Sequence, residues 1–89
     1  MKQFRSDYGV YTCEHVFEDK RPVLLVIRDP EGDWQFLCGQ EDDKQCHLIG
    51  VGHLLNRDHS LAKMVELKVG TIAERVSIDH DWEYFDLDD

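Results

Sequence analysis

The segment Asp29-Pro30-Glu31-Gly32-Asp33-Trp34-Gln35-Phe36-Leu37-Cys38-Gly39 carries a turn and a strand in one run. An acceptor side chain first, proline second and glycine fourth is the chemistry of a type I turn. Trp34, Phe36 and Cys38 alternate with Gln35 and Leu37, so they share one face of the strand that follows. Upstream, Pro22 opens Val23-Leu24-Leu25-Val26-Ile27, a run apolar on both sides of the pleat, as expected of a central strand covered on both faces. The two runs are therefore expected to pair as an antiparallel hairpin.

Toward the N-terminus, Tyr8 to Phe17 is rich in aromatic and β-branched residues and reads as a first strand, irregular near Gly9. Toward the C-terminus, Gln40 to Gln45 reads as an acidic loop and Cys46-His47-Leu48-Ile49-Gly50-Val51 as a further strand. Leu54 and Leu55, then Leu61, Met64 and Val65, carry the spacing of short helices, with Asp58 or Ser60 able to cap the second. Gly70 breaks that pattern. Ile72 to Ile78 then alternates, and Asp79-His80-Asp81 turns the chain into Trp82-Glu83-Tyr84-Phe85. The pattern predicts an α+β protein, mainly antiparallel sheet with one or two short helices packed on one face. With no repeat, low-complexity tract or linker, residues 1–89 read as one domain.

Nineteen acidic side chains against ten basic ones give a net charge of −9, and no Lys or Arg occurs from Asp79 to Asp89. Such a field repels phosphate backbones and anionic lipid, which argues against nucleic-acid or membrane binding and favours a basic protein partner. The longest uninterrupted apolar run, Val23 to Ile27, is too short to span a bilayer, and no apolar stretch follows Met1-Lys2-Gln3-Phe4-Arg5, so the chain is expected to be cytoplasmic. Cysteines at 13, 38 and 46 are an odd number in no disulfide framework, the pattern of reduced thiols.

Two sets of residues could carry chemistry. Cys13 and His15, two apart on a strand, would point the same way and could share zinc with Cys38 and one of Cys46, His47 or His53; the set Cys13, His15, Cys38 and His53 is the expected metal site if there is one. Against it stands the habit of free cysteines to act as small core residues, and the default expectation is no cofactor. For nucleophilic catalysis Cys13/His15 and His59/Ser60 are the nearest pairs, but adjacent side chains diverge, and Ser60 is better explained as part of a helix N-terminus. There is no nucleophile elbow, H-E-x-x-H or phosphate loop, and no enzymatic activity is expected. Trp82-Glu83-Tyr84-Phe85, beside the acidic tail, leans toward the surface and would suit an interface.

The run Trp34 to Glu41, then Leu54-Leu55-Asn56-Arg57-Asp58, then Leu67-Lys68-Val69-Gly70-Thr71-Ile72-Ala73-Glu74-Arg75, resembles the order of motifs in a family of small bacterial immunity proteins of polymorphic toxin systems. Cys13-x-His15 with Asp33-Trp34-x-Phe36-Leu37-Cys38-Gly39 is similar to a second set of small bacterial proteins. The first resemblance implies tight association with one toxin domain, and it assigns no catalytic or binding role to any residue. An acidic immunity protein facing a basic nuclease would gain speed and specificity from complementary charge.

The functional expectation is thus a non-enzymatic, acidic protein-binding module, immunity-like in the form the resemblance implies, with a zinc-binding structural domain as the alternative. Glu41, Asp42, Asp43, Asp79, Asp81, Trp82 and Tyr84 are the expected partner contacts. Monomer and homodimer both stay open, the latter by edge pairing of the Trp34–Cys38 strand.

Overall fold

A computed structural model describes residues 3–39 and 46–87, with the side chain of Cys46 left aside. The turn at Asp29 forms as its residues dictate: the Asp29 carboxylate accepts from the backbone N–H of Glu31 at 2.9 Å and of Asp33 at 3.1 Å, and Gly32 N–H donates to Asp29 O at 2.9 Å. Gly32 takes φ +95°, a left-handed conformation open to glycine without a Cβ penalty. The flanking strands β2 (Leu25–Arg28) and β3 (Trp34–Leu37) pair antiparallel, Arg28 facing Trp34 and Leu25 facing Leu37.

Around this hairpin stand β1 (Gly9–Cys13), β4 (Cys46–Gly50), β5 (Thr71–Glu74) and β6 (Glu83–Asp86), giving one six-stranded sheet in the order β4-β1-β3-β2-β5-β6. Every neighbouring pair is antiparallel except β1 and β3, which run parallel with Thr12 beside Phe36. Between strands lie α1 (Glu14–Phe17), α2 (Val51–Arg57) and a 3-10 helix (His59–Glu66). The protein is α+β, a mostly antiparallel sheet with short helices. Among the described residues no helix is long and apolar enough to cross a membrane.

The hydrophobic core lies on one face of the sheet. Val10, Val26, Phe36 and Ala73 point into it, and Val51 and Leu54 of α2 with Leu61 and Met64 of the 3-10 helix close it from above. Trp34 fixes the 3-10 helix by donating its indole N–H to Met64 O at 2.9 Å, while Arg28 stacks on the Trp34 ring and donates to Leu67 O at 2.8 Å. Asp58 caps that helix, accepting from Ser60 N–H at 3.0 Å. Residues before β1 strap the other end: Phe4 packs edge-on against Trp34, and Ser6 O accepts from Gly52 N–H at 2.9 Å.

Three sequence expectations are corrected. The stretch Tyr8–Phe17 is not one strand, because the chain turns at Cys13 into α1 and leaves it at Asp19, whose φ of +59° an aspartate tolerates. The apolar run Val23–Ile27 does not lie between two layers: Val26 is fully buried under the helices, whereas Ile27 is only half-buried on the other face. The Trp34 strand sits between β1 and β2, so it has no free edge for a symmetry mate; the edges belong to β4 and β6.

Candidate functional site

The parallel pairing of β1 and β3 brings the C-terminal ends of both strands to the same end of the sheet. Cys13, the last residue of β1, and Cys38, just beyond β3, meet there, and the first turn of α1 adds His15. The donor atoms of Cys13, His15 and Cys38 all lie within 4.8 Å of one another, with Cys38 Sγ 3.6 Å from His15 Nδ1. Both cysteines are buried and free, and His15 is half-buried. Burial pushes the Cys13 thiol above its usual range, against the backbone N–H groups of Val16 and Cys38 that hydrogen-bond its sulfur and favour the thiolate; the Cys38 side chain adds to the upward shift.

The juxtaposition that C-x-H spacing suggested is present, but for a different reason. His15 reaches Cys13 because the chain coils into α1, not because the two alternate along a strand. Of the remaining expected ligands, His53 is exposed on α2 and is not brought into this group. His47 faces the helices: it pairs with Thr12 and stacks on Phe17 with ring centroids 4.1 Å apart.

The expected partner contacts separate. Asp79 and Asp81 are exposed in the turn before β6, and Tyr84 is 56% exposed on β6 itself. Trp82 is buried, and the Arg75 guanidinium lies 4.3 Å over its ring, which corrects the expectation that it leans toward the surface. Glu41, Asp42 and Asp43 lie outside the described residues. Ser60 does not pair with His59, since its hydroxyl donates to the Asp58 carboxylate at 2.6 Å.

One surface escaped the sequence reading. The strand registers align Leu48, Tyr11, Gln35, Ile27, Ile72 and Phe85 as a single row across all six strands, on the face opposite the helices. Leu48, Tyr11 and Phe85 in that row are 64, 40 and 47% exposed. Leu25 and Leu37 lie beside it, and Glu74 faces Glu83 at its corner. The alternation in each strand hinted at two apolar faces, but only the order of strands could join these residues.

A half-open groove of about 580 Å³ lies between α1 and α2, floored by Val16, Val23, Leu54 and Leu61 and edged by Lys20, Arg21 and Arg57. Its carboxylates are engaged in structure, Asp58 with Arg75 at 2.6 Å and Asp19 with Arg57 at 3.7 Å. No protein-family model, curated protein or solved structure matches the chain.

Proposed function

We propose that this protein acts by associating with a basic protein partner, which docks on the sheet face that the helices leave open. The observation that carries this reading is the row Leu48–Tyr11–Gln35–Ile27–Ile72–Phe85, five of its six residues apolar, crossing the whole sheet without a helix over it among the described residues. Contiguous apolar surface of this kind is a mark of interaction sites.

Charge selects the partner's chemistry. The charged side chains that alternation places at strand positions of this face are Glu74 and Glu83, and they stand directly opposite each other. Like charges in a cross-strand pair destabilise a sheet, and a Lys or Arg from a partner would relieve them. A net charge of −9 further disfavours a second copy of the chain and speeds encounter with a basic protein. Neutralisation of a basic toxin domain, the immunity-like role implied by resemblance, is the specific form of association proposed.

The test is native mass spectrometry of the protein purified from its own cells, with Ile27→Asp and Glu83→Lys beside the wild type. A basic protein should remain bound to the wild type and be released by both variants, whose circular dichroism stays native, and release should also follow a rise in salt. Retention by both variants would remove the open face from the interface. A complex of two identical chains would assign the face to self-association instead.

A further inference from the structure

We propose that Cys13, His15 and Cys38 form a binding site for a borderline-soft divalent cation, zinc above all, where the ends of β1 and β3 meet the first turn of α1. The site is independent of the docking face and needs no partner.

Distance is the first argument. In a tetrahedral zinc site with Zn–S of about 2.3 Å and Zn–N of about 2.05 Å, sulfur and nitrogen ligands lie about 3.6 Å apart and two sulfurs about 3.8 Å apart. Cys38 Sγ and His15 Nδ1 already stand at 3.6 Å, and all three donors fall within 4.8 Å of one another. Closing the group around an ion therefore asks for movements of no more than about 1 Å.

Topology is the second. A C-x-H pair arises easily in a sequence, but Cys38 is 23 residues from His15 and is delivered by a different strand. Its delivery depends on the parallel β1–β3 register, in which Tyr11 faces Gln35 and Thr12 faces Phe36, so that the two strands finish together. The ion would staple three segments: the end of β1, the turn of α1 and the exit of β3.

The backbone N–H groups of Val16 and Cys38 hydrogen-bond the Cys13 sulfur, the kind of outer support that orients a metal ligand. Two thiolates and an imidazole select zinc or cobalt over the hard cations magnesium and calcium, which take oxygen ligands. Among the described residues three ligands come together, and a fourth ligand, water included, would complete a tetrahedral set.

Cobalt(II) titrated into the reduced, metal-free full chain reads the site directly. Saturation is expected at one ion per chain, with thiolate-to-cobalt charge-transfer bands and the intense visible bands of tetrahedral geometry, both abolished by added zinc. Cys46→Ser should keep the spectrum, whereas His15→Ala should weaken binding by about tenfold or more. If Cys13→Ser or Cys38→Ser fails to fold, alkylation of the wild type supplies the same information: zinc should shield Cys13 and Cys38 from iodoacetamide, as mapped by peptide mass. Absence of charge-transfer bands, equal affinity in His15→Ala, loss of binding in Cys46→Ser, or alkylation of Cys13 and Cys38 unaffected by zinc would each overturn this ligand set.

Discussion

Arg75 shows how much one side chain can organise in a domain of this size. Its guanidinium is buried, donates to Val23 O at 2.8 and 3.1 Å, pairs with Asp58 at 2.6 Å and covers the face of Trp82. Burial by itself would raise the Asp58 carboxyl, but the Ser60 hydroxyl, the Arg75 guanidinium and the Ser60 N–H outweigh it and hold the group below its usual range. A folded-state pKa below the unfolded value of about 3.9 gives stability that is fully present above that pH and is lost as pH falls through the folded value. Asp58→Ala is therefore expected to cost about 2–3 kcal/mol near neutral pH, through a lost cap and an unpaired buried cation. In urea melts, that deficit should shrink as the pH is lowered below about 4. A deficit that stays constant with pH would mean that the cap and packing matter and the charge does not. The capping role was legible in Asp58-His59-Ser60; the role of Arg75 was not, because its partners come from residues 23, 58 and 82.

At the scale of elements, the helices are short and depend on what they touch. The seven-residue α2 has no side-chain cap, and the segment before β1 holds its first turn instead, with Tyr8 O and Ser6 O accepting from Val51 and Gly52. A Cβ on Gly52 would meet Ser6 O at 2.9 Å and Ser6 Cβ at 3.0 Å, contacts that the backbone must move to relieve. Gly52→Ala should destabilise by about 1–3 kcal/mol by overpacking, and hydrogen exchange should show α2 and residues 3–8 opening together. Protection lost in α2 alone would show that the strap does not hold it. Sequence spacing located the helices because Leu54, Leu61 and Met64 recur on one side; it missed α1, whose four residues sit inside a β-rich stretch. The boundary at Cys13 is set by tertiary contacts, and those same contacts place His15 beside the cysteines.

Across the whole molecule, the sheet divides an intolerant face from a permissive one. Phe36→Ala, beneath the helices, should cost about 3–5 kcal/mol, a large share of the roughly 4–13 kcal/mol expected of a chain this long. Ile27→Ser, one position along the neighbouring strand on the open face, should cost less than about 1.5 kcal/mol in chemical denaturation. Comparable losses at the two sites would mean that the open face is covered in solution. Residue order alone determined the Asp29–Gly32 turn, the hairpin it forces, the α+β class and a cap at Asp58 or Ser60, since each follows from neighbours within a few positions. It also nominated Cys13, His15 and Cys38, by residue type. Only the tertiary structure decided that β1 joins β3 in parallel, that the two cysteines and the histidine share one corner, that Trp82 lies under Arg75, and that an apolar row crosses the open face. Those outcomes turn on pairings between strands far apart in the chain, and such pairings are chosen by the packing of the whole core rather than by any local pattern.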